Sequence, residues 1–435
     1  MGETFIIRGD ICHSRNLSCL ETLKDGYLVC REGKSAGAFP RLPEEYRSLP
    51  LADYGGKLVI PGLTDLHLHA PQFSFRALGM DLELLDWLET RAFPEEARYA
   101  DLEYARRAYG LLTEHVRRGP STRLVFFGTL HTPASLLLMD MLEESGLVCL
   151  AGKVNMDRNS PDYLREASAE ASLAATREWL AACGRYKNVG PILTPRFVPS
   201  CGDALMKGLS EIQKEYALPL QSHLSENRAE IRWVRELCSG AGSYAGAYAR
   251  WGLFGGGVPT VMAHCVWPED RETGLLAEQG VFVAHCPQSN TNLASGIAPV
   301  RRFLERGIPV GLGSDVAGGV HTSIFRAMAD AIQVSKLRRV LAAEDDAPLT
   351  LEEAFYLGTA GGGAFFGKTG PAGAAGSFAP GRDFDALVID DANLAAPFEL
   401  SIRERLERVV YLSDDRNIAA KYVRGRSLFQ KPAAA

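Results

Sequence analysis

Short apolar runs recur through the middle of the chain, and longer polar and apolar mixtures lie between them. The runs are rich in Val, Ile, Leu and Phe, which is typical of strands buried on both faces. The pattern predicts eight strands, at residues 58–69, 123–131, 147–155, 191–197, 218–223, 260–264, 281–285 and 308–315.

The segments between these runs place apolar residues at helical spacing among Ala, Leu, Glu and Arg. The clearest helices are predicted at 101–118, 135–144, 161–183 and 203–216. Strands that alternate with helices favour parallel pairing. Eight such units in roughly 300 residues predict an α/β fold, a TIM-like (β/α)8 barrel over residues 61–370.

The two ends of the chain lack this alternation. Residues 1–60 hold short extended pieces such as 4–8 and 26–30, while 371–435 begin Gly/Ala/Pro-rich and continue with strand-like runs at 385–389 and 421–426. Neither end is long enough to bury a core alone. We therefore expect both ends to form one small β-sandwich domain, with residues 1–60 as its N-terminal part and 371–435 as its C-terminal part.

Composition narrows the class of protein. Apolar residues make up 46% of the 435 residues and charged residues 23%, as in globular proteins. A formal net charge of −6 without a Lys/Arg-rich block argues against a nucleic-acid partner. No apolar stretch approaches the roughly 20 residues that cross a bilayer, and the N-terminus does not resemble a signal peptide. Nine scattered cysteines indicate reduced thiols, so we expect a cytoplasmic protein with no membrane partner.

Polar residues close several of the predicted strands. His67 and His69 share one face of the first strand, because side chains i and i+2 point the same way. His223, His264 and Asp315 close later strands, at the end of a barrel where active sites assemble. Three neutral imidazoles and one carboxylate suit Zn²⁺. The predicted metal ligands are His67, His69, His223 and Asp315.

Proton carriers are predicted beside these ligands. Glu226 follows His223 by three residues, and a carboxylate there could carry protons between a metal-activated water and a substrate. His264 could orient the nucleophile, and Asp315 could accept the proton of the water. The predicted catalytic residues are therefore Glu226, His264 and Asp315. His131 and His285 also end predicted strands and are weaker candidates for the pocket wall.

At this point the chain resembles a known family. Residues 61–69, Pro-Gly-Leu-Thr-Asp-Leu-His-Leu-His, together with His223, His264 and Asp315, are similar to the amidohydrolase superfamily of metal-dependent hydrolases. Finer motifs resemble the guanine deaminase family within it, at residues 69–76, 81–88, 93–98, 194–197, 222–227 and 314–319.

The resemblance implies an activity and its cofactor. It implies one Zn²⁺ per subunit, with Fe²⁺ as the alternative, a homodimer, and hydrolytic deamination of a purine base, guanine, to xanthine and ammonia by a zinc-activated water. It also implies that Gln72 and Arg196 hydrogen-bond the purine edge and that Phe197 packs on the ring. The substrate-binding residues implied are His69, Gln72, Arg196, Phe197, His223, Glu226 and Asp315.

Other functions share part of this pattern. A hydrolase of the same superfamily acting on a triazine, another aminopurine or an aminated nucleoside would carry the same metal residues. A non-catalytic scaffold would be expected to have lost a ligand. The cytidine-deaminase type of zinc site needs Pro-Cys-x-x-Cys, and a dinucleotide site needs Gly-x-Gly-x-x-Gly; the sequence contains neither in the required context. The sequence leaves open whether residues 70–98 close over a bound substrate, although a helix with Leu82, Leu85 and Trp87 beside the metal strand could act as a lid.

Overall fold

The computed structural model describes residues 3–370 and 372–431. Within these ranges the strands are β1 (Phe5–Asn16), β2 (Cys19–Arg31), β3 (Lys34–Phe39), β4 (Leu51–Pro61), β5 (Leu63–His69), β6 (Ser121–Phe127), β7 (Val148–Gly152), β8 (Val154–Asn155), β9 (Val189–Pro191), β10 (Thr194–Pro195), β11 (Leu220–Leu224), β12 (Thr260–His264), β13 (Phe282–His285), β14 (Val310–Leu312), β15 (Ala386–Ile389), β16 (Ile418–Val423) and β17 (Arg426–Gln430).

The α-helices in the same ranges are α1 (Leu84–Trp87), α2 (Phe93–Ala97), α3 (Leu102–Arg118), α4 (Thr132–Ser145), α5 (Ala169–Cys183), α6 (Asp203–Tyr216), α7 (Arg228–Leu237), α8 (Tyr244–Ala249), α9 (Asp270–Gln279), α10 (Pro287–Asn292), α11 (Val300–Glu305), α12 (Ile324–Leu341), α13 (Leu351–Tyr356), α14 (Gly362–Phe366) and α15 (Ile402–Leu412). A π-helical turn, Leu88–Ala92, joins α1 to α2. None of the described helices is both long and apolar enough to span a membrane.

Two parallel four-stranded sheets carry the middle of the chain, in the orders β5-β6-β7-β9 and β11-β12-β13-β14. At one junction the amide of Gln221 donates to the carbonyl of Leu193 at 3.0 Å. At the other, the amide of Asp315 donates to the carbonyl of His67 at 2.8 Å. The predicted mixed α/β fold with parallel strands is confirmed, and hydrogen bonds join the sheets at both junctions.

The predicted single strand at 58–69 is wrong. The chain there forms two strands in different sheets, β4 and β5, separated by Gly62. A Cβ on Gly62 would lie 2.3 Å from side-chain atoms of Thr122, so a larger residue cannot pass at this point. The apolar run continues through Gly62 without interruption, and it therefore conceals the change of sheet.

Several other boundaries also differ from the pattern. The predicted strands at 147–155 and 191–197 each divide in two, because β8 and β10 leave the main sheet and pair with each other. The helix predicted from 161 begins only at Ala169, where the Ser168 side chain accepts the amide of Ala171 and caps the first turn. Helix α6 has the predicted bounds.

Both chain ends contribute to one seven-stranded sheet, the end sheet, in the order β17-β16-β15-β4-β1-β2-β3. Strands β4 and β1 are parallel, and the other neighbours are antiparallel. Phe5, Phe384 and Tyr422 pack with ring centroids 5.3–6.5 Å apart on this sheet. The start of the predicted C-terminal part, Pro371, and the terminal residues 1–2 and 432–435 lie outside the described residues.

Buried polar contacts fasten the end sheet to the parallel sheets. Arg123 of β6 donates to Asp385 at 2.7 Å and to Asp383 at 2.9 Å, and it is fully buried. Lys421 of β16 donates to four backbone carbonyls at 2.6–3.2 Å, those of Val116, Arg117, Gly119 and Ser121. Strand β6 is a neighbour of β5 in a parallel sheet, so these contacts attach the end sheet to the sheet that carries part of the candidate site.

Candidate metal centre and active site

The carboxyl ends of three parallel strands bring the four predicted ligands together. His67 and His69 lie on β5, His223 lies on β11, and Asp315 follows β14. Oδ1 of Asp315 is 3.1 Å from Nε2 of His67 and 3.5 Å from Nε2 of His69. The Nε2 atoms of His69 and His223 are 3.2 Å apart. Four donor atoms therefore converge on one small volume.

The donor set fits a divalent metal. Nδ1 of His223 lies 2.7 Å from the carbonyl of Arg196, which can only accept, so Nδ1 carries the proton and Nε2 offers a lone pair. Nε2 of His67 finds no hydrogen-bond partner of adequate geometry among the described residues, although it is buried. A cation between these nitrogens would satisfy both. Three imidazoles and one carboxylate are a ligand set that Zn²⁺ accepts.

The protonation states also suit a cation. Burial lowers the pKa of His67, and burial together with the neighbouring imidazoles holds the pKa values of His69 and His223 well below the usual range. Burial alone would favour the neutral acid at Asp315, but the imidazoles of His67, His264 and His69 outweigh it and lower its pKa. Neutral imidazoles beside an ionised carboxylate are the forms that bind metal.

Asp65 braces the metal strand against the segment that carries Asp315. Its Oδ1 accepts the amides of His67 and Ser314 at 3.2 and 3.0 Å, and its Oδ2 accepts the Ser314 hydroxyl at 2.5 Å. Burial raises the pKa of Asp65 to about 7. Asp65 is thus a structural clamp between two ligand-bearing segments.

Four non-glycine residues at these strand ends have left-handed backbone conformations. The φ angles are 48° at Ser225, 73° at His264, 48° at Cys265 and 46° at Asp315. Such conformations cost free energy in residues with a Cβ, and they concentrate at functional sites that the surrounding structure holds in place. Here they turn the chain so that side chains at the strand ends face one cavity.

Glu226 and His264 face each other beside the ligands. Oε2 of Glu226 lies 3.4 Å from Nε2 of His264, and Oε1 accepts the Ser295 hydroxyl at 3.2 Å. Nδ1 of His264 lies 2.9 Å from Oδ1 of Asn290, which fixes the orientation of the ring. Burial, followed by the charge of Asp315, raises the pKa of Glu226 to about 8. The raised pKa favours the protonated form of Glu226, which can donate a proton.

One cavity connects these groups. Small-molecule sites commonly combine apolar walls with a few polar groups, as this cavity does. Every predicted site residue lines the cavity except His67, which is buried. The lining residues are His69, Gln72, Leu84, Trp87, Leu88, Arg196, Phe197, His223, Glu226, Glu230, His264, Leu293, Asp315 and Gly318.

A buried polar cluster forms part of the cavity wall. Glu96, which lies in the motif at 93–98 but was given no role from the sequence, accepts from both terminal nitrogens of Arg196, and the Nη2 contact is 2.9 Å long. Nε2 of Gln72 donates to the same carboxylate at 2.8 Å, and Oε1 of Gln72 accepts the amide of Ala317 at 3.2 Å. Glu96 thus holds the guanidinium of Arg196 and the amide of Gln72 in place without lining the cavity itself.

The apolar wall uses other residues than the helix face that the sequence offered as a lid. Leu84, Trp87 and Leu88 line the cavity, whereas Leu85 is exposed and Leu82 does not reach it. The helix begins only at Leu84, so positions i, i+3 and i+4 from there share its inner face. The strand-end histidines His131 and His285 do not line this cavity either; His131 precedes α4 and His285 lines a separate pocket.

Comparison with known proteins agrees with this geometry. Residues 58–428 match the amidohydrolase family. Guanine deaminase of Dictyostelium discoideum is 40% identical over 382 residues, which cover 86% of this chain and 83% of the relative. Guanine deaminase of Rattus norvegicus is 35% identical over 448 residues, covering 97% and 96%.

A solved structure is similar over nearly the whole chain. It is the crystal structure of guanine deaminase from C. acetobutylicum with bound guanine in the active site. It superimposes with a TM-score of 0.94 at 43% identity and covers 98% of this chain and 100% of the solved chain.

Proposed function

The chain belongs to the amidohydrolase family and, within it, to the guanine deaminases, and from this premise we propose that it hydrolyses guanine to xanthine and ammonia. The observation that carries the proposal is the convergence of His67, His69, His223 and Asp315 at a cavity that Gln72 and Arg196 also line. A metal site and a polar wall in one cavity are what this reaction requires.

Zinc is the proposed metal, one ion per subunit, held by His67, His69, His223 and Asp315. When bound, it supplies a water activated for attack at neutral pH. The alternative, Fe²⁺, suits the same imidazoles and carboxylate. Metal content of the purified protein, measured by elemental analysis, distinguishes the two.

Different residues carry out the separate proton transfers of the reaction. Ionised Asp315 and the neighbouring His264 accept a proton as the oxygen of water forms a bond to C2 of the purine. Protonated Glu226 delivers its proton to N3. The proton held by Asp315 and His264 then passes to the exocyclic nitrogen, the C2–N bond breaks while the hydroxyl at C2 gives its proton to Glu226, and ammonia leaves. Guanine and one water are consumed, and xanthine and ammonia are formed.

Arg196, Gln72 and Phe197 are proposed to recognise the purine. Guanidinium N–H groups donate to the O6 carbonyl, and Phe197, which lines the cavity, packs on the ring. Adenine presents an amino donor at C6 and would leave the N–H groups of Arg196 that Glu96 does not engage without an acceptor, and polar sites of this kind discriminate by about 10⁴ or more. His69, His223, Glu226 and Asp315 contact the reacting end of the base.

The proposed architecture behind this site is a closed (β/α)8 barrel over residues 61–370. It is supported by the hydrogen bonds that join the two parallel sheets at both junctions. The end sheet, with contributions from residues 1–60 and 371–435, is proposed as a small β-sandwich domain. Active sites of such barrels lie at the carboxyl ends of the strands.

A homodimer in the cytoplasm completes the proposal. All nine cysteines are unpaired and eight of them are buried, which fits a reducing compartment. Sedimentation analysis at several protein concentrations tests the dimer directly.

Ammonia release is the test of the proposed reaction. Guanine, adenine, cytosine and a triazine are compared in parallel with zinc-loaded and chelated protein. We expect metal-dependent turnover of guanine alone. Turnover of a different amine would contradict the proposed substrate, and no turnover by fully zinc-loaded protein would contradict the enzyme assignment.

A further inference from the structure

Glu96 stands out because it belongs to the site without lining the cavity. It is 3% exposed and does not appear on the cavity wall, whereas its partners Gln72 and Arg196 do. It lies on α2, in the segment whose earlier turns carry Leu84, Trp87 and Leu88 to the same cavity. It is therefore placed to act through its partners and not on a substrate.

We propose that Glu96 is a positioning residue for recognition of the purine. It holds the guanidinium of Arg196 in one place as a hydrogen-bond donor, and it holds the amide of Gln72 in one orientation. The inference rests on the proposed function, because it assigns the specificity of that same site. It predicts that selectivity for a 6-oxo over a 6-amino purine depends on a carboxylate that the purine never contacts.

The contacts to Arg196 carry the first half of the argument. Both carboxylate oxygens of Glu96 are engaged, one by each terminal nitrogen of the guanidinium. This two-point contact fixes the plane of the group as well as its position. It consumes one N–H on each terminal nitrogen and leaves the other N–H groups free to donate toward the cavity. The ring of Phe93, also on α2, lies 5.1 Å from the guanidinium carbon.

The contacts to Gln72 carry the second half. A carboxylate can only accept, so the amide group of Gln72 must present Nε2 to Glu96 and cannot turn over. Oε1 then faces the amide of Ala317, which can only donate. The orientation of a glutamine amide, normally free to reverse, is thereby determined at both ends.

Replacement of Glu96 by Gln would weaken both constraints. The amide offers one acceptor in place of two, so its nitrogen would face a donor of the guanidinium or of Gln72, and the buried charge of Arg196 would lose its counter-charge. The amide of Gln72 would then be held only by Ala317, and an orientation with its oxygen toward an amino group at C6 becomes less costly. Binding of a 6-oxo purine weakens, while a 6-amino purine loses little.

The experiment compares Glu96→Gln, Glu96→Asp and the control Glu95→Gln with the parent enzyme. Glu95 is the adjacent carboxylate, but it contacts Tyr104 and Arg98 instead of the cavity residues. The measurements are kcat and KM for guanine, the inhibition constant of 2,6-diaminopurine against guanine turnover, and zinc content. This analogue carries an amino group in place of the oxo group at C6, and its N1 accepts a hydrogen bond where the N1–H of guanine donates one.

For Glu96→Gln we expect KM for guanine to rise about 10-fold to 100-fold, with kcat changed much less, because a uniform binding interaction is lost. The inhibition constant of 2,6-diaminopurine should stay within a few-fold or fall. Glu96→Asp retains the charge and should give an intermediate KM, which keeps the test decisive if Glu96→Gln fails to fold. Glu95→Gln and the zinc content should match the parent.

Three outcomes would overturn the inference. An unchanged KM in both Glu96 variants would remove Glu96 from recognition. A loss of kcat at constant KM would assign it another role. Equal weakening of guanine and 2,6-diaminopurine would leave only a structural ion pair. Failure of the parent enzyme to release ammonia from guanine would instead contradict the proposed function itself.

Discussion

Two buried carboxylates beside the same imidazoles have pKa values shifted in opposite directions because their neighbours differ. Asp315 lies within 3.1–3.8 Å of nitrogens of three histidines, which lower its pKa. Glu226 contacts one histidine and faces the charge of Asp315, and burial raises its pKa to about 8. One carboxylate thus serves as an acceptor of protons and the other as a donor, the separation that acid–base catalysis needs.

Replacement of Glu226 by Gln tests this assignment. The amide has nearly the same shape but cannot deliver a proton, so we expect turnover to fall about 10²-fold to 10⁴-fold with the zinc content unchanged. Steady-state kinetics and elemental analysis measure the two quantities. The control is Glu236→Gln, since Glu236 is exposed on α7. Near-parental activity in Glu226→Gln would remove Glu226 from the mechanism.

Glu230 gives the site a dependence of stability on pH. It is buried and accepts the amide of Glu226 at 3.1 Å and the hydroxyl of Tyr244 at 2.5 Å. Burial, and then the charge of Glu226, raises its pKa to about 7 from 4.5. The folded protein therefore holds the proton longer than the unfolded chain does, and stability falls as the pH rises from about 4.5 to 7.

The variant Glu230→Gln should lose part of that pH dependence. Glutamine cannot ionise, so the loss of unfolding free energy between pH 5 and pH 8 should be smaller than in the parent, by on the order of 3 kcal/mol. Urea unfolding at the two pH values provides the comparison. The exposed carboxylate of Glu211 supplies the control, Glu211→Gln. Equal pH dependence in parent and Glu230→Gln would refute the assignment.

At the scale of elements, Gly62 is the point where the chain changes sheets. Gly62→Ala would push a methyl group into Thr122, so we expect the free energy of unfolding to fall by about 1–3 kcal/mol. Denaturant unfolding measures the change. Gly184→Ala is the matched control, because a Cβ at that position meets no atom within 4 Å. Equal stability of the two variants would mean that Thr122 and the backbone at Gly62 shift at little cost to make room for the methyl group.

Sequence predicts an element where its signal is local. The eight runs located the parallel strands because a buried strand is a continuous apolar stretch, and His67, His69, His223 and Asp315 could be placed because they follow such runs. Glu96 could not be found in this way, since Arg196 is 100 residues distant and a carboxylate early in a helix is typical of a solvated first turn. The signal that exists is indirect: a buried arginine needs a counter-charge.

The same contrast applies to Asn290 and Ser295, which hold His264 and Glu226. Both lie in a polar stretch between β13 and β14 without a hydrophobic period of its own, so nothing nearby indicates which side chains turn inward. Their roles depend on the tertiary path of that stretch across the cavity. The break at Gly62 was missed for the opposite reason, because the pattern there was too uniform.

At the scale of the whole molecule, Lys421 joins the end sheet to the parallel sheets. Lys421→Met would leave the carbonyls of Val116, Arg117, Gly119 and Ser121 without their donor. We expect the free energy of unfolding to fall by on the order of 3 kcal/mol, measured in urea. Lys24→Met, at an exposed surface pair with Glu399, should be indistinguishable from the parent. Equal stability of both variants would show that the junction does not depend on Lys421.

The order of strands in the end sheet also bears on synthesis of the protein. Strand β4 lies between β1 and β15, yet β15 follows it by more than 300 residues along the chain. At about 5–20 residues per second, a ribosome needs roughly 15–60 s to deliver that partner. During this interval the nascent chain presents Leu58, Val59 and Ile60 on an unpaired edge, which invites aggregation. The strand order thus creates a defined period of synthesis in which a chaperone can bind the exposed edge of β4.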